Sequence, residues 1–211
     1  MWSLLHMKYF QFLEHSHQES FLSACRLALY KHEELVPTVK DLNELKPIPV
    51  PEAGDLPLLD LGSENFETQS LKFPLRSRRI RAGSFFLRGY RMIAMVRDGE
   101  VVADVWYATC LNATTPTIHP HVEWFKIKLN EDEAYFFDMH VYADHRGGGM
   151  NTYFHHKVLA EMRDRGYRKA YGCFVADNTP ALWMHRLIGY RELPRCTVRR
   201  ILLYESARAK N

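Results

Sequence analysis

Between Val141 and Leu159 the chain reads VYADHRGGGMNTYFHHKVL. The residues before this stretch, Ala134 to Ala143, are apolar on both faces for much of their length, the mark of a central strand. Those after the glycines place Phe154, Val158, Leu159 and Met162 on one stripe, which predicts a helix running to about Arg165 and capped at its C-terminus by Gly166. Glycine costs backbone entropy, so Gly147-Gly148-Gly149 at a strand-to-helix junction must supply something only glycine gives. Successive bare N–H groups at a helix N-terminus converge on an anion, and Arg146 adds a full charge. A pyrophosphate cradle meets that description. The motif is not a P-loop, because no Gly-Lys-Ser/Thr follows, and the G-x-G-x-x-G dinucleotide spacing is absent.

Around this junction the order of elements is that of a mixed α/β sheet with helices packed on it. Two β-prone runs flank Asp98-Gly99 in the clearest hairpin of the chain. RKAYGCFVA, ending at Ala176, is another buried strand. Asn178 is placed as an N-cap with Pro180 in the first turn of a helix that ends at Gly189. Two strand-like pieces follow, Tyr190 to Leu193 and Thr197 to Tyr204, and the tail SARAKN is expected to fray. Toward the N-terminus, residues 8–35 read as a short strand and then a helix carrying Phe21, Ala24, Ala28 and Leu35. Residues 36–62, broken by five prolines, read as a long wrapped connection, and residues 111–133 as loop or an irregular strand pair.

Composition excludes several classes. With 211 residues, 46% of them apolar, the chain can bury a core, and a net charge of +3 is too small for a dedicated nucleic-acid binder. The four cysteines lie far apart with no C-x-x-C pair, so no zinc ribbon or redox motif is expected. His15 and His17, His119 and His121, and His155 and His156 do not combine with a Cys or carboxylate at metal-binding spacing, so no metal is expected; His119 and His121 stand on the loop before the glycine-turn strand, where they can line an acceptor pocket. The start of the chain does not read as a signal peptide and no apolar run reaches membrane-spanning length, which gives the expectation of a soluble, cytoplasmic protein, monomeric or homodimeric. Arg76, Arg78, Arg79 and Arg81 crowd together before the hairpin; a solvated basic face is the default for such a run, an acceptor carboxylate or phosphate the alternative. The aromatics Phe85, Phe86, Tyr90, Trp106, Tyr107 and Trp124 read as core that can also wall an apolar pocket.

From Val141 to Leu193 the sequence resembles the Gcn5-related N-acetyltransferase (GNAT) family. Arg146 matches the first position of that family's Arg/Gln-x-x-Gly-x-Gly/Ala motif, Gly149 its central glycine, Asn178 and Ala181 its later Asn and Ala, and Gly189-Tyr190 its Gly-Phe pair. The resemblance covers residues 88–204, the acyl-CoA-binding core, while residues 1–87 fit only in outline, all within a single domain of 1–211. Two positions depart: Asn151 stands where the motif prefers Gly or Ala, and His185 where the family has Tyr.

The resemblance implies a mostly antiparallel sheet of six or seven strands with flanking helices and one splayed parallel pair, the strands at 134–143 and 168–175. It implies acetyl-CoA, or another acyl-CoA, as co-substrate: the amides of Arg146, Gly147, Gly148, Gly149, Met150 and Asn151 on the pyrophosphate, backbone near Met139, His140 and Val141 along the pantetheine arm, and Asn178 on that arm or on the splay. A primary amine, on a small molecule or a peptide, then attacks the thioester. His185 would be the proton donor in the family's tyrosine position, with Tyr190 and Tyr153 behind it. Asp138 and His140, polar residues on a central strand and on one face by period two, are candidates for the base, with Glu123 a third. Two other functions fit the same fold: a non-catalytic acyl-CoA-binding module, and an N-acyl synthase that takes its acyl group from an acyl-carrier protein.

Overall fold

The computed structural model describes residues 9–10, 14, 30–52, 55–115, 117–201 and 204–209. Among the described residues nine strands form one sheet: β1 (Tyr30–Asp41), β2 (Leu58–Leu61), β3 (Arg91–Arg97), β4 (Glu100–Ala108), β5 (Glu133–Val141), β6 (Lys169–Val175), β7 (Arg191–Glu192), β8 (Cys196–Ile201) and β9 (Tyr204–Ala209). Their order across the sheet is β2-β3-β4-β5-β6-β1-β8-β9, with β7 pairing beside β1. Among the described residues four α-helices pack on it: α1 (Arg76–Phe86), α2 (Pro120–Trp124), α3 (Met150–Asp164) and α4 (Thr179–Ile188).

The elements around the glycine turn match their sequence signals. Asp98 and Gly99 both take positive φ, 50° and 77°, in the β3–β4 turn. Asn178 caps α4 by accepting the Ala181 N–H at 3.1 Å, and Gly189 ends the helix at φ 82°. Phe154, Val158, Leu159 and Met162 are fully buried, as the stripe predicts. They fill a core between α3 and one sheet face with Ile93, Val105, Phe136 and Ala170. The other face buries Tyr90, Trp106, Tyr135 and Phe137 with Ala82, Phe85 and Phe86 of α1.

Four readings need correction. Residues 36–41 are not connection: β1 runs through Pro37 to Asp41 and lies inside the sheet, antiparallel to β6 on one side and to β8 and β7 on the other. Pro37 is tolerated in the strand, where Leu193 donates to its carbonyl at 2.8 Å. Leu35 therefore belongs to a strand and not to a helix, while Phe21, Ala24 and Ala28 lie outside the described residues. The tail does not fray at Ser206: β9 pairs antiparallel with β8 from Tyr204 to Ala209. Within 111–133 the ordered element is the short helix α2, opened by His119 and Pro120.

Among the described strands β5 and β6 are the one parallel pair, and they stay together only from Glu133 opposite Lys169 to Tyr135 opposite Tyr171. Beyond that they part. On its other edge β5 carries a bulge where its register against β4 shifts between Asp104 and Trp106. Two residues, Asp138 and Met139, face the single Val105 there, and Asp138 takes φ 52°. The bulge bends β5 away from β6, which is held to β1 from Leu35 to Asp41. An open wedge between two strands results. Phe154→Ala in the core beneath it is expected to lower stability by about 3–5 kcal/mol, measured by urea denaturation.

Candidate active site

At the wide end of the wedge the chain leaves β5 through a 3₁₀ turn (Ala143–His145) into the glycine run and α3. Gly147, Gly148 and Gly149 have φ of 102°, 53° and 80°, and a Cβ on any of them would meet no atom within 4 Å. Glycine is thus required by backbone conformation and not by close contact within the protein. The N–H groups of Gly148, Gly149, Asn151 and Thr152 have no acceptor among the described residues. Those of Arg146 and Met150 are taken, by Ala143 O at 3.1 Å and Gly147 O at 2.9 Å, and the Met150 side chain is buried in the core. Neither of those two amides can serve an anion without breaking the turn, which narrows the expected set. The turn lines a cavity of about 820 Å³. Arg146 reaches it with its Nε anchored on Val141 O at 2.8 Å. Asn151 presents a buried side-chain oxygen without a partner, one residue into the helix.

Sequence reasoning missed two walls of this cavity. Ile48 to Glu52 of the proline-rich segment close one side, and Arg97, at the end of β3, adds a second guanidinium. The segment is pinned to α3 by Tyr153, which donates to Asp55 at 2.6 Å, by the Lys157–Asp55 ion pair and by His156 on Lys46 O at 2.7 Å. Tyr153 is therefore committed to Asp55. The signal was the wrapped connection itself, whose length needs an anchor.

Along the wedge, the three residues expected to do proton chemistry sit in unlike surroundings. Asp138 is bound by Arg78 at 3.1 Å and by Arg81, and its carbonyl accepts from Arg78 at 2.7 Å. Burial works against its charge, but Arg78 and Arg81 outweigh this and hold its pKa below the ordinary value. Arg78 also binds Asp104, which is fully buried in β4 and accepts from Tyr142 at 3.1 Å. The arginine run is therefore split: Arg78 and Arg81 point inward, while Arg79 stays exposed beside Glu67 at 3.5 Å. The missed signal was Asp104, a carboxylate amid the apolar residues of β4, which had to find a cation.

His140 faces the same arginines. Burial, then Arg78 and Arg146, press its pKa down to about 4, so the ring is neutral at pH 7. His185 is buried on α4, its Nδ1 2.8 Å from Ala181 O, its ring against Phe174 and Tyr190 at 4.8 and 4.7 Å. Burial lowers its pKa against the opposing pull of the Ala181 carbonyl. With the ring proton on Nδ1, a neutral His185 has no Nε2–H to give. Tyr190 bonds His155 Nε2 at 2.7 Å, and burial pushes its pKa up. Met139 packs against the α3 side of the sheet, Val141 is buried there too, and Asn178 spends its side-chain oxygen on capping α4. Glu123 accepts from Thr117 at 2.6 Å. Among the described residues no cluster of His, Cys, Asp or Glu is arranged to hold a metal, and no helix is long and apolar enough to cross a membrane.

A mixed sheet with one parallel pair splayed around a bulge, and a glycine turn feeding a helix at the open end, is a specific arrangement. The fold is that of the GCN5-related N-acetyltransferases. An acetyltransferase of this GNAT family from Colwellia psychrerythraea superposes with a TM-score of 0.50 at 11% identity, over 86% of this chain and 60% of that one. A Drosophila protein gives 0.50 at 11%, over 88% and 57%. A GCN5-related N-acetyltransferase from Sphaerobacter thermophilus gives 0.48 at 16%, over 88% and 58%. The chain thus spans less than two thirds of the length of these three structures. No family model and no curated protein matches the sequence.

Among the described residues four histidines have depressed pKa values, His119 at about 2, His155 at about 3, His140 at about 4 and His185 below its ordinary value, in each case first through burial. Unfolded, each titrates near 6.5, so below that pH the unfolded chain binds protons that the folded one refuses. Stability is expected to be complete above about pH 6.5 and to fall as pH drops toward 4, each histidine adding a slope approaching about 1.4 kcal/mol per pH unit. Urea denaturation between pH 7 and pH 4.5 measures it, and His155→Gln should flatten the slope.

Proposed function

We propose that the protein is an acyl-CoA-dependent N-acyltransferase that moves an acetyl group from acetyl-CoA to a primary amine by direct attack. The observation that carries this reading is the cradle of unbonded amides at Gly148, Gly149, Asn151 and Thr152, opening onto a cavity at the wide end of a split parallel pair. A pyrophosphate meets those amides and the Arg146 and Arg97 guanidiniums. The pantetheine arm follows the unpaired edge of β5 from Phe136 through Met139 to Val141, as an added strand does. The thioester then lies in the wedge, where an unpaired β5 amide stabilises the oxyanion that forms on attack. Co-substrate in this reading is acetyl-CoA or another acyl-CoA, with no metal.

For Asp138 the reading is a changed role. A carboxylate held by two arginines is a poor proton acceptor, and the work we assign it is to fix the bulge and orient Arg81 toward the acceptor. His185 packs the wall of the thioester pocket instead of protonating the sulfur. His140, neutral and half-buried, lines the acceptor side.

The same commitments of Asp138 and His185 favour a second reading, an acyl-CoA-binding module without catalysis. Thiol release over a panel of primary amines separates the two: turnover on any amine excludes the module.

Calorimetric titration with CoA tests the cradle. Arg146→Ala removes one charge-assisted contact, of about 1.5–3 kcal/mol, and is expected to weaken CoA roughly tenfold or more. Gly149→Val places a β-branched residue at φ 80° and is expected to nearly abolish binding. Dephospho-CoA should stay sensitive to both changes and free pantetheine should not. Parent-like affinity in both variants would remove the basis of the acyltransferase reading.

A further inference from the structure

The arginine-rich helix α1 has two faces with different work. Ala82 and Phe85 pack inward against the sheet, and Arg78 and Arg81 reach Asp138 beside the wedge. Arg76, Arg79, Gly83 and Leu87, which follows the last helical residue, recur at three- and four-residue steps on the outer face. With the segment from Ser63 to Phe73 they line a groove of about 1050 Å³. It shares no residue with the cavity at the glycine turn. Its volume is at the upper end of the range of small-molecule sites, roughly 300–1,000 Å³.

The two ends of the groove differ in chemistry. Arg76 and Arg79 stand exposed at the N-terminal end of α1, with Lys72 on the facing segment. Against these three cations the lining holds one carboxylate, Glu67, 3.5 Å from Arg79. Arg76 lies over the Phe10 ring at 4.4 Å, and a stacked guanidinium keeps its in-plane N–H donors for an anion. Toward the other end the floor is apolar. The Phe66 ring lies 5.7 Å from Phe73 and 5.0 Å from Phe86, and Leu87 is 83% exposed. Gly83 stands between the two ends. Glycine inside a helix costs stability relative to alanine, and a Cβ on Gly83 would meet no atom within 4 Å, so no contact within the described residues requires it. What the missing side chain does is keep the middle of the groove open.

We propose that this groove is a binding site for an aliphatic carboxylate, with the head group on Arg76, Arg79 and Lys72 and the tail over Gly83 against Phe66, Phe86 and Leu87. Charge complementarity selects the head: guanidiniums take a carboxylate in paired N–H···O bonds. The helix selects the tail. From Arg76 to Leu87 it advances about 16 Å at 1.5 Å per residue, roughly the length of an extended twelve-carbon chain. Such a tail covers apolar surface that water otherwise meets. The site stands apart from the acyl-CoA cavity, and it does not depend on whether the chain transfers acyl groups.

Calorimetric titration of the full chain with dodecanoate, kept below its micelle concentration, tests this. Saturable binding to one site is expected. Gly83→Leu fills the groove and should abolish binding, while its higher helix propensity keeps α1 folded. Arg76→Gln combined with Arg79→Gln removes two charge-assisted contacts and should weaken binding about tenfold or more. Arg146→Ala, at the glycine-turn cavity, should bind dodecanoate as the parent does. Dodecyltrimethylammonium, with the same tail and the opposite charge, should not bind. No saturable binding, equal binding of the cation, or parent-like affinity in either groove variant overturns the proposal. So does a loss seen in Arg146→Ala, which would put the ligand in the other cavity. Self-association that Gly83→Leu removes, or binding of an amphipathic Glu/Leu helical peptide, each in place of dodecanoate binding, would give the groove to a second copy or to a protein partner and overturns it too. The acyltransferase reading is decided separately, by the CoA titration.

Discussion

Arg78 lies buried between two carboxylates, and the wedge depends on it. Its guanidinium binds Asp104 of β4 through Nε at 3.1 and 3.0 Å, and it reaches both the side chain and the carbonyl of Asp138 in β5. One cation thereby ties α1, β4 and the bulged residue together. A left-handed backbone at a non-glycine residue costs about 1–3 kcal/mol and persists only where its surroundings over-determine it. Three bonds from two arginines to Asp138 provide that. Breaking such a pair strands a charge in the interior, so the network is far costlier to lose than to keep.

The bulge also decides which side chains face α1. Phe136 packs toward α3 and Phe137 toward α1, as alternation requires. Alternation would send Asp138 back toward α3. The inserted residue turns it toward α1 instead, beside Arg78 and Arg81, with His140 near the same arginines. One extra residue thus separates the β5 edge from β6 and loads the α1 side with charge.

Around the wedge, burial keeps histidines neutral, while the cations stand at the cavity and on the α1 side. An anion entering at the glycine turn meets Arg146 and Arg97 and four unbonded amides. The opposite face carries the rings of Tyr135, His119 and His121, with the Asp138 charge acting on His119. The two ends of the wedge therefore differ in electrostatic character.

The sequence by itself determined the local elements. Three glycines before an apolar stripe, Asn178 before Pro180, and Asp98-Gly99 between β-prone runs each act through a few neighbouring dihedrals, so their outcome is written where they stand. The Val141–Leu193 pattern carried the fold. Partnership was another matter. That Arg78 and Arg81 turn inward, that Asp138 is bound rather than basic, that Pro37 lies inside the sheet and that residues 48–52 wall the cavity all rest on contacts between residues far apart in the chain. Charge and periodicity report what a residue needs, a cation for Asp104 or a hydrogen-bond partner for Tyr190. Which residue meets the need is decided only when the tertiary structure closes, because only then are solvent and the alternative partners excluded.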